Sequence, residues 1–154
     1  MTDRLPKPLR ESPLFLMARA AQALTQHCRD ALTRAGFEDI GAPDLAVLAA
    51  LEGVADGENP SKLAKALRYE KSSLTPILVR LREAGLVAQV KDPKDARAHR
   101  ITITKKGSKR RREADAVIEQ ATDALIKGLP KKVLRHHAEF CEALLLAVDR
   151  EEKP

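Results

Sequence analysis

The sequence predicts a mainly α-helical protein carrying one small β-hairpin, and three observations lead there. Apolar residues recur at three- and four-residue intervals along most of the 154 residues, the pattern of helices that bury one face. The marked alternation in LVAQVKD and HRITIT is short and is interrupted by a charged loop around Pro93, as in a hairpin with a long tip. Hydrophobic residues make up 44% of the chain and aromatic residues 3%, with no Trp, so the core is built of Leu, Ala, Val and Ile. That filling suits packed helices rather than a large β-sandwich. The length suits one compact domain, or a core with helical extensions.

Along the chain, Pro6, Pro8 and Pro13 mark a Pro-rich arm. Leu14, Ala18, Ala21, Leu24, Cys28 and Leu32 then fall on one face of a long helix, and Gly36 supplies its stop. Pro43 and Asp44 open a second helix through Leu45, Leu48 and Leu51, with Pro in the first turn and a carboxylate near the positive end of the dipole. VADGEN is its exit loop. Asn59 and Pro60 supply an N-cap and a first helical residue for a short helix bearing Leu63, Ala64 and Leu67.

The segment EKSSLTPILVRLREAGLV is the most informative helix. Leu74, Ile77, Leu78 and Leu81 follow the i, i+3, i+4, i+7 rule and define a buried face, and Gly85 ends the helix. Ser72, Thr75, Pro76, Val79 and Glu83 fall opposite, with Ser73 and Arg80 on the flank. Pro76 is tolerated in a first turn, which places the start near Lys71 or Ser72. An outer face of hydroxyls, a flat ring and one Val lets a helix N-terminus enter the DNA major groove and touch base edges and thymine methyls. The hairpin that follows has its tip at PKDARA, where Asp92 and Asp95 can tie the loop to its own backbone or to Arg97. A guanidinium held at such a tip suits a narrow minor groove. Three helices followed by a two-stranded hairpin is the order of a winged helix-turn-helix, with the hairpin as the wing.

The chain carries 28 Lys and Arg against 22 Asp and Glu, a formal net charge of +6. Residues 91–112 alone hold ten basic residues against Asp92 and Asp95, so the rest of the chain is mildly acidic. One concentrated basic segment suits contact with phosphates, and it equally suits a solvated charged face. Within it KKGSKRRR opens a helix through Ala114, Val117, Ile118, Ala121 and Leu125, where cations oppose the dipole. Phosphate contact and plain solvation are the two explanations. Pro130 opens a last helix with Val133, Leu134, His137, Cys141, Leu144, Leu145 and Val148, an apolar face that needs a partner.

Other function classes find little support. No stretch approaches the roughly 20 apolar residues of a membrane span, and MTDRLPKPLRESP lacks a signal peptide's apolar segment, so a cytoplasmic location without membrane contact is expected. Cys28 and Cys141 form neither a disulfide framework nor a CxxC site. His137 and Cys141 stand four apart and could be two metal ligands, but the same face carries Leu134 and Leu145 and reads as packing. Cys28 lies between His27 and Arg29, yet on the apolar stripe, as an inert thiol would. No HExxH, phosphate-binding Gly loop or Gly-x-Ser-x-Gly elbow occurs, so no catalytic residue, metal or cofactor is predicted.

SKLAKAL leading into LTPILVRLREAGLV, and then DPKDARAHRITITKKG, resemble the MarR family of bacterial transcriptional regulators over nearly the whole chain. Asp95 and Arg97 match the family's wing pair, and Thr104 with Gly107 the start of its long dimerisation helix. Leu14 and Phe15 stand where redox-sensing members with a similar recognition helix keep a reactive Cys. The resemblance implies an arm and dimerisation helix over 1–36, a winged helix-turn-helix over 37–104 with its wing at about 86–104, and C-terminal dimerisation helices over 105–154. It implies a homodimeric repressor on double-stranded DNA, released by a small, often aromatic or phenolic effector. Ser72, Ser73, Thr75, Pro76 and Val79 would read bases, while Lys71, Arg80, Lys94, Arg97 and Arg100 meet backbone or minor groove and Asp95 holds Arg97. A winged helix used only for protein assembly is the alternative.

Overall fold

The computed structural model describes residues 6–92 and 98–151. Its elements run α1 (Lys7–Arg10), α2 (Pro13–Arg34), α3 (Ala42–Glu52), α4 (Pro60–Ala66), α5 (Lys71–Glu83), β1 (Val87–Lys91), β2 (His99–Ile103), α6 (Lys105–Ile126) and α7 (Lys131–Glu151). This is the mainly helical fold with one hairpin expected from the sequence. Contacts divide the chain into two compact units, one ending at Glu119 and one beginning at Gln120.

The Pro-rich arm is more ordered than its composition suggests. Residues 7–10 form the short α1, and Pro13 is the first residue of α2 rather than part of the arm. The reason is local: Ser12 accepts a hydrogen bond from the Phe15 N–H at 3.3 Å, and a proline at the first helical position gives up no hydrogen bond. At the other end Gly36 takes φ +78°, which lets the Phe37 N–H reach back to the Leu32 carbonyl at 2.9 Å.

Helices α3, α4 and α5 enclose the core. Val47, Leu48 and Leu51 are fully buried, and Leu63, Leu74 and Leu81 nearly so. Each such side chain contributes about 1.5–3 kcal/mol by leaving water, so this cluster holds the three helices together without aromatic residues among its most buried members. Asn59 caps α4 by accepting from the Ser61 N–H at 2.8 Å. The hairpin is antiparallel in the register Val87↔Ile103 through Lys91↔His99, which turns Val87 and Ile101 onto the core. Glu58 and Ile101 exchange two backbone hydrogen bonds of 2.9 Å, attaching the α3–α4 loop to β2 as a short third edge. Gly57 makes that attachment possible: its φ is +72°, and a Cβ there would lie 2.5 Å from the Ile101 carbonyl oxygen.

The Thr104 and Gly107 pair has a physical reason. Thr104 Oγ1 accepts from the Gly107 N–H at 2.9 Å, capping α6, and donates toward the Gly85 carbonyl at 2.8 Å. A Cβ on Gly107 would stand 2.0 Å from the Leu86 carbonyl oxygen, so the helix crosses the start of the wing at a distance only glycine permits.

The second unit, described by itself, contains α7, which buries none of its residues in the single chain. Leu145 and Leu146 are 56% and 57% exposed. Among the described residues, no helix is long and apolar enough to cross a membrane.

Candidate nucleic-acid interface

Helix α5 starts at Lys71 with Leu74, Ile77 and Leu81 buried and Leu78 half-buried. Lys71, Ser72, Ser73, Thr75, Pro76, Val79 and Arg80 are all exposed, so the structure brings these predicted contacts onto the outer side and flank of one helix. Thr75 donates its hydroxyl proton to the Lys71 carbonyl at 2.8 Å, which ties the hydroxyl back to the helix. Pro76 is a correction: counted from Lys71 it is the sixth helical residue and lies in the second turn, not the first. It has no N–H for the Ser72 carbonyl, and the helix tolerates this because both residues are on the solvent side.

A groove of about 420 Å³ separates α5 from the wing, with Thr75 and Val79 on one wall and Gln89 and His99 on the other. Arg82 bridges the two by donating to Gln89 Oε1 at 3.0 Å. Lys94, Asp95 and Arg97 fall outside the described residues. Arg100 is paired within the chain: its Nε donates to Asp92 at 2.7 Å and its Nη1 reaches the Gly57 carbonyl at 3.4 Å. The Asp92 carboxylate, directly after β1, thus ties the two strands together at the tip end of the wing, and its hydrogen bond raises the pKa of the Arg100 guanidinium.

Part of the basic opening of α6 has a third explanation, contacts within the chain, while Lys105, Lys109 and Arg112 stand exposed. Lys106 donates to the Ala84 carbonyl at the end of α5, at 2.7 Å. Arg110 pairs with Asp39, reaches the Gly36 carbonyl at 3.3 Å and lies 4.0 Å over the Phe37 ring. Arg111 joins Glu52 and Asp115, and Ser108 donates to the same Glu52. The Arg110 hydrogen bond holds the Asp39 carboxyl below its usual range, and those from Ser108 and then Arg111 do the same for Glu52. These cations fasten α6 to the end of α5, to the turn after α2 and to the end of α3. Sequence spacing carries no sign of it, because Arg110 and Asp39 stand 71 residues apart.

Asp44 is a residue the sequence reading did not single out for DNA contact. It is the one buried charged residue among the described ones, 3% exposed. One oxygen accepts from the Gly41 N–H at 2.9 Å, closing the start of α3, and the other accepts from Arg80 at 2.6 Å. His137 and Cys141 stand side by side on α7 with Nε2 and Sγ 3.7 Å apart, and among the described residues no group of three or more His, Cys, Asp or Glu could hold a metal ion.

Residues 38–98 match the model of the MarR family. Among solved structures the chain is similar to CouR from Rhodococcus jostii RHA1 bound to p-coumaroyl-CoA, at 24% identity over 90% of this chain and 95% of that one, with a TM-score of 0.76. It is similar to MepR from S. aureus in complex with DNA, at 19% identity over 88% and 98% of the two chains, with a TM-score of 0.75. A mutant MarR from E. coli complexed with operator DNA gives 22% identity over 84% and 91%, with a TM-score of 0.74. These likenesses establish the winged helix-turn-helix fold. No curated protein matches the chain.

Proposed function

We propose that the chain is a MarR-family transcriptional regulator, a reading supported by the match of residues 38–98 to that family's model, and that it works in the cytoplasm as a homodimeric repressor. It binds a pseudo-palindromic operator and leaves it when a small aromatic or phenolic effector binds. The observation that carries this reading is α5, whose inner side is buried in the core while Ser72, Ser73, Thr75, Pro76 and Val79 stand exposed on the outer side. A rigid helix with a small-residue surface is the shape that enters a major groove, and Lys71 and Arg80 flank it for phosphates. Asp95 and Arg97 complete the contact from the wing tip, in the minor groove. Operator DNA in the E. coli structure and p-coumaroyl-CoA in CouR are the ligands of similar folds and support the two halves of the proposal.

The dimer is inferred from the exposed apolar side of α7, with the N-terminal helix and residues 105–154 as the elements that meet the second copy. Deleting residues 130–154 is expected to give aggregates or a monomer with weak DNA binding; a truncated protein that remains a soluble dimer by light scattering overturns the assignment.

Selection of bound sequences from a random duplex pool tests DNA binding. The expected result is an inverted repeat with half-sites about one helical turn apart. The second reading, a module for protein assembly, is favoured by one observation: Arg100, Arg110 and Arg111 are engaged within the chain, which leaves less charge for phosphates. A pool that yields no enriched sequence at any salt concentration decides for it.

A further inference from the structure

Asp44 calls for an explanation, because a carboxylate buried near apolar helices is costly unless every lone pair in use is matched. Its bond to Gly41 accounts for one oxygen. The other is spent on Arg80, which lies 36 residues later on α5 and whose side chain has no other hydrogen-bond partner among the described residues. The exposures of the two partners differ sharply: the Arg80 side chain is 52% exposed and that of Asp44 5%. The carboxylate therefore grips the guanidinium from inside the molecule, and the guanidinium stands at the surface beside the base-reading side of α5.

We propose that Asp44 is a positioning residue for DNA binding, acting through Arg80. It fixes one edge of the planar guanidinium and presents the remaining N–H groups as a preset fork for a backbone phosphate at the edge of the half-site. The inference rests on the DNA-binding reading above. An unrestrained arginine loses rotamer freedom on docking, and a fixed one has lost it already; that difference is worth a factor of about 3 to 10 in affinity. Its planar fork also matches two phosphate oxygens, which a lysine ammonium cannot do in the same way.

The test separates this role from simple electrostatics by sign. Asp44→Asn removes a negative charge from a DNA-binding module and keeps an acceptor for Gly41, so charge alone predicts tighter binding. Positioning predicts the opposite: a loss of about 3- to 10-fold in operator affinity. Arg80→Lys, which keeps the charge, is expected to lose a similar amount, and Arg80→Ala to lower the salt slope by about 1. Asp44→Asn combined with Arg80→Ala should bind no worse than Arg80→Ala alone, because the two act as one unit. Thermal melts at each step correct for the folded fraction, and the Arg80 variants carry the test if Asp44→Asn folds poorly.

Unchanged or tighter binding by Asp44→Asn, additive losses in the double variant, or full affinity in Arg80→Lys each overturn the inference while leaving DNA binding intact. Failure of the unaltered protein to prefer any duplex overturns the functional reading and this inference together.

Discussion

The outer side of α5 and the opening of α6 are both polar helix N-termini in the same compact unit, and they differ in what their side chains already hold. On α5, Ser72 and Ser73 make no side-chain hydrogen bond among the described residues, and Val79 stands exposed at 37%. On α6, Lys106, Ser108, Arg110 and Arg111 are all committed to partners on other elements. The more basic surface is thus the more structural one. Charge density alone does not separate the two helices; the question that does is whether a partner for each charge exists within the chain.

That contrast can be broken in order of expected effect. Gly107→Ala should be the most damaging change, costing about 3 kcal/mol or more or preventing folding, since its methyl would overlap the Leu86 carbonyl; urea denaturation measures it. A stable Gly107→Ala protein would show that α6 can shift away from the wing. Next, Thr75→Ala and Val79→Ala should each cost about 1–3 kcal/mol at particular base pairs, with the melting temperature and the salt slope nearly unchanged. Titrations of operator and random duplex give both quantities, and an equal loss on every sequence would remove these residues from base reading.

Glu52→Ala should do the reverse, lowering stability by about 1 kcal/mol through the loss of Arg111 and Ser108 contacts while leaving base preference untouched. The same site predicts a pH dependence. The Glu52 and Asp39 carboxyls are held below their unfolded values of 4.5 and 3.8, so they contribute stability that is present above those values and lost as pH falls through the folded-state values. Melting temperature should therefore drop on acidification below pH 4.5, with a shallower drop in Glu52→Gln. An identical acid profile in that variant would place the loss elsewhere. Smallest of all, Lys109→Ala breaks only an exposed pair with Glu113 at 3.8 Å and should change stability by no more than about 0.5 kcal/mol.

What the sequence determined by itself is whatever depends on neighbours a few residues away. The cap at Asn59, the buried stripe of Leu74, Ile77 and Leu81, the outward placement of Thr75 and Val79 and the two strands of the wing follow from hydrogen bonds and periodicities within a turn or a hairpin. Even the misplacement of Pro76 was an error of one turn within a correctly located helix. Tertiary structure alone decided the rest: that Asp44 holds Arg80, that Asp92 accepts from Arg100, and that Arg110 and Arg111 find Asp39 and Glu52. A charged side chain has the same sequence signature whether it faces solvent, phosphate or a carboxylate on another helix. Only the packing of Leu48, Leu51 and their neighbours brings α3, α5 and α6 close enough for those carboxylates to claim it.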